Sequence, residues 1–223
     1  MILIPVKKLS AAKQRLATVL DQPSRTELAH AMLADVAEAA AASACDDVAV
    51  VTSDELAVEL ARQHGFEVIR DEPNVSETDA IEMATRLCES RGIVDTLVIP
   101  GDIPLVEAAE IRAIYENAPE TGTVLVPSLD KRGTNAVLRC PSSIFALRFG
   151  NDSFMPHLSA AIASDRSCVV LSLSGIALDI DTPEDLQELA QRIGEKRSQL
   201  LARSLGFGDL KRSSNADLLA ANS

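Results

Sequence analysis

The chain has 223 residues, 47% of them hydrophobic and 24% charged, which suits a folded α/β domain with its own core. Lys and Arg total 21 against 33 Asp and Glu, giving a net charge of −12, and aromatic residues make up only 3%. Such a surface repels nucleic acid and anionic membranes and offers few rings for base stacking, so we expect neither as a partner.

The cysteines and the apolar runs indicate a cytoplasmic protein. The four cysteines are isolated, with no CxxC pair and no histidine nearby at the spacing of a metal site. This is typical of unpaired thiols in a reducing compartment. No run reaches the length of a membrane span, and in MILIPVKK the apolar residues precede the lysines, the reverse of a secretory leader.

Strand and helix signals alternate along the first half of the chain. Apolar runs predict strands over 1–6, 47–52, 66–70 and 96–100. Helices are predicted over 10–20, 24–44, 53–65, 76–90 and 106–117, with N-caps at Ser10, Ser24, Ser53 and Ser76 and with capping boxes at Ser24 and Ser76. The alternation predicts a mostly parallel sheet with helices on both faces.

The rhythm changes after Pro119. Two strands, 123–127 and 135–140, are joined by a polar loop, and a helix over 153–164 and a strand over 168–173 follow. Thr182 and Pro183 form a strong helix start, which predicts a helix as far as residue 203. We expect one domain over 1–203 and a loosely docked polar tail over 204–223.

Basic residues follow the first predicted strand. In an open α/β sheet, ligands bind at the carboxyl ends of the strands. Lys7, Lys8, Lys13 and Arg15 lie just beyond such an end, near a helix start that itself favours anions. This segment is a candidate phosphate site, although neither GxGxxG nor a P-loop is present.

Two acidic segments are candidates for a metal ion. Asp102 directly follows an apolar strand, where a carboxylate can hold the Mg²⁺ of a bound nucleotide. Asp179 and Asp181 would share a face if the chain there is extended, so both carboxylates could converge on one ion.

Two small polar segments, 131–135 and 148–153, are candidates for an anion site. Gly133 and Thr134 allow close approach to a ligand, and Ser153 can N-cap a helix whose amides face an anion. With no Ser/His/Asp or Cys/His arrangement evident, basic, acidic and anion-binding segments together favour phosphoryl or nucleotidyl transfer over acyl transfer.

Five segments in this order resemble the phospholactate guanylyltransferase family: IPVKKLSAAKQRL, PGDIPL, RGTNAVL, FGNDSF and ALDIDTPEDL. The resemblance runs from about Met1 to Leu189, and the family includes the phosphoenolpyruvate guanylyltransferases of deazaflavin coenzyme biosynthesis. It implies the nucleotide-diphospho-sugar transferase fold, a three-layer α/β/α sandwich.

The resemblance also implies roles for individual residues. Nucleotide binding falls to Lys7, Lys13 and Arg15 at the triphosphate, catalysis to Lys13, Arg15 and Asp102, and Mg²⁺ binding to Asp102, Asp179 and Asp181. The phosphorylated three-carbon acid is matched to Thr134, Gly150 and Ser153. Where many members have Gly-Leu-Asn near the guanine, this chain has residues 75–79, in which Glu77 and Asp79 can accept hydrogen bonds from the base.

The implied reaction transfers GMP from GTP to the acid and releases pyrophosphate. The acid is phosphoenolpyruvate, 2-phospho-L-lactate or 3-phospho-D-glycerate, which differ by a few atoms and are separated by pocket shape. Two other functions stay open at this point: a sugar-nucleotide transferase on the same fold, and a non-catalytic nucleotide-binding regulator. The oligomeric state is also open, a homodimer being one option.

Overall fold

The computed structural model describes residues 1–45, 47–71, 76–150 and 152–208. Within them, one sheet has seven strands in the order β3-β2-β1-β4-β6-β5-β7. The strands are β1 Ile2–Val6, β2 Val48–Thr52, β3 Glu67–Arg70, β4 Thr96–Val98, β5 Gly122–Pro127, β6 Thr134–Cys140 and β7 Ser167–Val170. The helices are α1 Gln22–Ser43, α2 Glu55–Gln63, α3 Glu77–Ser90, α4 Ala108–Glu116, α5 Phe154–Ala163, α6 Pro183–Gln191 and α7 Arg197–Ser204.

The predicted sheet is confirmed as mostly parallel, with one exception. β6 pairs antiparallel with both of its neighbours, β4 and β5. The short connection between β5 and β6 forces this, because adjacent parallel strands need a long crossover. The first residues of β6 therefore lie at the same edge as the last residues of the other strands, which we call the carboxyl edge.

Helices cover both faces of the sheet, as the three-layer sandwich requires. Successive residues of β1 point to opposite faces: Ile2, Ile4 and Val6 belong to one buried cluster, and Leu3 belongs to another. The first cluster includes apolar residues of α1, α2, α4, α6 and α7, and the second those of α3 and α5. None of the described helices is both long and apolar enough to cross a membrane.

The predicted helix over 10–20 is wrong. Two short 3₁₀ helices, Leu9–Ala11 and Gln14–Thr18, occupy this segment, and Ser10 caps neither. Lys13 separates them with a left-handed backbone, φ 54° and ψ 44°. That conformation costs roughly 1–2 kcal/mol in a residue with a side chain. It is held here because the Lys13 ammonium reaches two carboxylates inside the protein.

Two helix starts also differ from prediction. α1 begins earlier than the Ser24 capping box, because the Asp21 carboxylate accepts from the Ser24 amide (2.9 Å). Asp54 rather than Ser53 caps α2, accepting from the amides of its first turn. In both cases an aspartate close by competes successfully with the serine for the unpaired amides. The caps predicted at Ser76 and Thr182 are confirmed.

The predicted helix over 182–203 is divided into α6 and α7. Gly194, with φ +144°, lies in the break. Asp35, buried in the middle of α1, accepts from the amides of Arg197 (3.0 Å) and Ser198 (2.9 Å) and from the Ser198 hydroxyl (2.5 Å). The Asp35 carboxylate of α1 thus caps the N-terminus of a separate helix, α7. Of the predicted tail, 209–223 lies outside the described residues, and Phe207 packs against the core.

Replacing Asp35 by alanine leaves buried donors at the start of α7 without an acceptor, so we expect the free energy of unfolding to fall by about 2–3 kcal/mol. Asp35→Asn keeps one acceptor oxygen and should lose roughly half as much. Urea denaturation measures both. Glu38→Ala is the matched control, because the contact of Glu38 within the described part of the chain is an exposed ion pair with Arg197. Equal losses in Asp35→Ala and Glu38→Ala would contradict the capping role.

Candidate active site

Two adjoining cavities open at the carboxyl edge of the sheet. The β1–β4 cavity, of about 410 Å³, lies beyond the ends of β1 and β4 and is lined by residues 5–7, 9, 11–15, 29, 32–33, 51, 71, 77, 80, 100–102 and 181. The β6 cavity, of about 620 Å³, adjoins the start of β6 and is lined by residues 15, 77, 100, 102, 128–130, 132–135, 149–150, 152–153, 178–179, 181–182 and 185. Five residues line both: Arg15, Glu77, Pro100, Asp102 and Asp181.

The Lys13 ammonium sits at this junction between two carboxylates. Its Nζ lies 2.6 Å from Asp102 Oδ2 and 3.0 Å from Asp181 Oδ1, and only 6% of the side chain is exposed. Burial by itself lowers the pKa of Lys13. The combined effect of the two carboxylates is larger and of opposite sign, so the pKa lies above its usual value. Arg15 stands at the mouth of the cleft, 62% exposed and 3.4 Å from Asp181 Oδ2.

The predicted acidic residues are brought to one place by backbone contacts. The Ile180 amide donates to the Asp102 carbonyl (3.1 Å), which joins segment 179–181 to the end of β4. Asn135, the second residue of β6, donates to Asp179 Oδ1 (3.1 Å) and to the carbonyls of Ile176 and Ala177. Segment 179–181 is irregular rather than a strand, so Asp179 and Asp181 are placed by these bonds and not by strand alternation.

Burial and the neighbouring carboxylates both affect the pKa of Asp179. Burial raises its pKa, and the charges of Asp102 and Asp181 raise it further, against the lowering effect of the Asn135 hydrogen bond. Within the described ranges, no group of three His, Cys, Asp or Glu side chains stands in a geometry that would hold a metal ion. The Lys13 ammonium takes the place between two of the three carboxylates.

The expected nucleotide-binding residues divide between the cavity and the surface. Glu77, in the first turn of α3, lines both cavities, and burial followed by the Asp102 charge raises its pKa to about 7. Asp79 is exposed on the same turn and accepts from the Ser76 hydroxyl (2.6 Å), outside both cavities. Lys7 lines the β1–β4 cavity. Val75 lies outside the described residues.

Asp71 is a cavity residue that sequence reasoning missed. It follows β3 directly, lines the β1–β4 cavity, and its buried carboxylate lies 3.1 Å from Lys7 Nζ. The signal for it was the same as for Asp102, an aspartate immediately beyond the carboxyl end of a strand. The strand predicted over 66–70 ends at the residue where β3 ends, so the sequence already carried the signal for Asp71.

Thr134, Gly150 and Ser153 are brought together around the β6 cavity. The Thr134 amide donates to Ser153 Oγ (3.0 Å), and both residues are buried. Gly150 has φ +121°, which favours glycine, and a Cβ there would meet no atom within 4 Å, so the cavity is open at this point.

The prediction that the Ser153 side chain caps α5 is wrong, although its position at the start of the helix is as predicted. Ser153 stands at the N-cap position of α5, but its hydroxyl oxygen accepts from β6 and makes no cap hydrogen bond. The Phe154 amide, which the prediction left facing an anion, donates instead to the Arg132 carbonyl (2.9 Å). Ser153 Oγ and the Phe154 amide are thus both engaged within the protein, while Thr134 and Ser153 line the β6 cavity.

Sequence and structure comparisons place the chain among known proteins. The family model described as "Guanylyl transferase CofC like" matches residues 1–221. A phosphoenolpyruvate guanylyltransferase of Rubrobacter xylanophilus is 36% identical, covering 83% of this chain and 91% of that protein. A 2-phospho-L-lactate guanylyltransferase of Methanothermobacter thermautotrophicus is 32% identical, covering 84% of this chain and 82% of that protein.

The fold is shared with solved structures of much lower sequence identity. A chain from Desulfovibrio desulfuricans G20, described as a nucleotide-diphospho-sugar transferase, superposes with a TM-score of 0.74 at 16% identity, covering 91% of this chain and 93% of its own. This confirms the nucleotide-diphospho-sugar transferase fold that the resemblance implied. Because the family match spans nearly the whole chain and includes every segment that builds the two cavities, the protein belongs to the CofC-like guanylyltransferase family.

Proposed function

We propose that this protein transfers GMP from GTP to a phosphorylated three-carbon acid, phosphoenolpyruvate or 2-phospho-L-lactate, with release of pyrophosphate. The observation that carries the proposal is the position of Lys13, Asp102 and Asp181 at the junction of two cavities. One cavity then takes the nucleotide and the other the acid, so that the reacting phosphates meet where the charged groups are. The names of the relatives support both substrates.

The β1–β4 cavity suits GTP. Its lining includes apolar residues of α1, among them Ala29, Met32 and Leu33, which give the cavity an apolar side suited to a base. Glu77 lines the same cavity and would accept from guanine N1–H and the exocyclic amine, two donors that lie side by side on guanine. Lys7, Lys13 and Arg15 lie along the same cavity and supply positive charge for the triphosphate.

The carboxylates fit a Mg²⁺ ion in chemistry. Asp102, Asp179 and Asp181 offer only hard oxygen donors, and the pKa of Asp179, raised mainly by burial, is raised further by the charges of Asp102 and Asp181. A cation already links two of them in the form of Lys13. In the arrangement seen here the three do not form a metal site, so Mg²⁺, which when bound would neutralise triphosphate charge and polarise the α-phosphate, would be held by them only once the Lys13 ammonium leaves its place between Asp102 and Asp181.

The β6 cavity suits a small anionic acid. The hydroxyls of Thr134 and Ser153 and the open backbone at Gly150 provide donors and space. An acid phosphate held there faces Arg15 and Asp102 on the shared wall. The cavity is polar along this side, which agrees with a charged acid better than with an apolar acceptor.

The reaction needs no protein base. A phosphate oxygen of the acid attacks the α-phosphorus of GTP, the bond from that phosphorus to the bridging oxygen breaks, and pyrophosphate leaves with the electron pair. The attacking phosphate is already ionised at neutral pH. Lys13 and Arg15 therefore act by orienting the reactants and stabilising the charge that builds up in the transition state.

The reaction is tested by pyrophosphate release from GTP and Mg²⁺ with phosphoenolpyruvate, 2-phospho-L-lactate and 3-phospho-D-glycerate in separate assays. We expect release with GTP and one of the first two acids, and little with ATP or CTP. Detection of the product by mass spectrometry guards against product instability. GTP binding without release in any assay would contradict the proposal and favour a binding protein or a sugar-nucleotide enzyme.

Replacing Asp102 by asparagine should lower kcat roughly 100-fold or more, since it removes a carboxylate from the junction of both cavities. Steady-state kinetics measure the loss, and the thermal midpoint reports the fold. Asp165→Asn is the matched control, because Asp165 is exposed and has φ 53°, a conformation that asparagine tolerates well. Activity of Asp102→Asn close to that of Asp165→Asn would remove Asp102 from the catalytic centre.

Glu77→Gln should raise KM for GTP about 10-fold at pH 8, because the amide offers guanine one acceptor where the carboxylate offers two.

With a pKa of about 7 in the free protein, Glu77 must lose a proton to accept both hydrogen bonds. Affinity of the wild type for GTP should therefore rise between pH 6 and pH 8, more steeply than that of Glu77→Gln. Asp79→Asn, on the same turn but outside the cavity, is the control, and a larger effect there would reassign the guanine contact.

A further inference from the structure

His157 is a buried polar residue behind the β6 cavity with no role in the reaction described above. It lies on α5, is 1% exposed, and is not among the residues that line the cavity. Its Nδ1 is 3.0 Å from Thr134 Oγ1, and its Nε2 accepts from the Arg148 amide (2.8 Å). Phe149 and Phe145 flank the ring, with centroids at 5.1 and 6.3 Å.

These two contacts decide the tautomer of the ring. A backbone amide can only donate, so Nε2 must present its lone pair to Arg148 and cannot carry a hydrogen. A neutral ring then carries its hydrogen on Nδ1, which donates to Thr134 Oγ1. Burial, with a smaller effect from the Arg139 charge, lowers the pKa of His157 to about 4, so the ring is neutral at pH 7.

The direction of that hydrogen bond decides what Thr134 can do. Because Thr134 Oγ1 accepts from His157, its own hydroxyl hydrogen is left for another acceptor. Ser153 is in the same state, since its oxygen accepts from the Thr134 amide. Among the described residues, neither hydroxyl has an acceptor within the protein, and both residues line the β6 cavity.

His157 also holds the loop that carries Gly150. Three successive amides of this loop donate to side chains: Leu147 to Glu82 (2.9 Å), Arg148 to His157 (2.8 Å) and Phe149 to Thr78 (3.0 Å). The ring therefore links two sides of the cavity. One side is the start of β6, which it contacts at Thr134, and the other is the loop before Gly150, which it contacts at Arg148.

We propose that His157 is a positioning residue for the acid substrate: by donating to Thr134 Oγ1 while its other nitrogen accepts from the Arg148 amide, it fixes the Thr134 hydroxyl as a donor for an oxyanion in the β6 cavity, beside the Ser153 hydroxyl, whose oxygen already accepts from the Thr134 amide. The inference rests on the proposed function for the presence of the acid in that cavity. It adds a selectivity: two hydroxyls fixed as donors favour a carboxylate or phosphate group over a neutral hydroxyl, whose own donor hydrogen they cannot accept as well.

Two variants of His157 separate the two hydrogen bonds. Asparagine places an amide nitrogen near the Nδ1 position and keeps the donor to Thr134, whereas glutamine places an oxygen near the Nε2 position and keeps only the acceptor for Arg148. We expect His157→Gln to raise KM for the acid roughly 10-fold, with KM for GTP unchanged, and His157→Asn to stay within about 3-fold of the wild type. A purely structural role predicts similar losses in both variants, since each removes one buried hydrogen bond.

Thr134→Val completes the test, because it removes the hydroxyl and keeps the shape of the side chain. It should raise KM for the acid about as much as His157→Gln, and the double variant should be no worse than Thr134→Val alone. Losses that add in the double variant, or a parallel rise in KM for GTP, would overturn the proposal. Thermal midpoints of all variants report the contribution of stability.

The tautomer can be measured independently of activity, by ¹⁵N NMR of histidine-labelled protein at pH 7, with His157→Asn to assign the signal. We expect hydrogen on Nδ1 and a bare Nε2, and hydrogen on Nε2 would overturn the proposal. If no acid is turned over, the proposed function fails by itself. Calorimetric binding of phosphoenolpyruvate to the same variants then replaces KM, and absence of binding, or equal binding by all variants, overturns the positioning role as well.

Discussion

The site depends on a buried ammonium group shared by two carboxylates. Lys13 joins the segment after β1 to Asp102 after β4 and to Asp181, 89 and 168 residues further along the chain. Taking an ammonium from water is costly unless it is paired, so these contacts hold three loops in one arrangement. The left-handed backbone of Lys13 is part of that cost, and loss of the ammonium would leave Asp102 and Asp181 without the cation that lies between them.

The antiparallel strand β6 is the second constraint, because it reverses which end of a strand faces the cleft. Thr134 and Asn135 stand at the start of β6 yet share the carboxyl edge with Asp102. Asn135 then holds segment 176–179, and with it the acidic pair, against the sheet. A parallel strand at this position would bring its last residues here instead, and Thr134 would lie at the far side of the molecule.

The two cavities are also joined through α3. Its first turn carries Glu77 on the shared wall, and Thr78 and Glu82 hold the loop that leads to Gly150. Glu82 in turn faces the buried Arg139 of β6 (3.3 Å). Glu77 and the loop that leads to Gly150 are therefore both held by one helix, α3.

Sequence by itself determined the α/β class, the mostly parallel sheet, the caps at Ser76 and Thr182 and the segments that meet at the cleft. Each of these follows from local patterns, because apolar runs, capping residues and polar residues at strand ends act over a few neighbouring positions. Tertiary structure alone decided the left-handed Lys13, the start of α7 on Asp35, the exposure of Asp79 and the link from His157 to Thr134. These depend on pairs of residues brought together from distant parts of the chain, where burial and charge outweigh local preference, and no pattern within a single segment contains them.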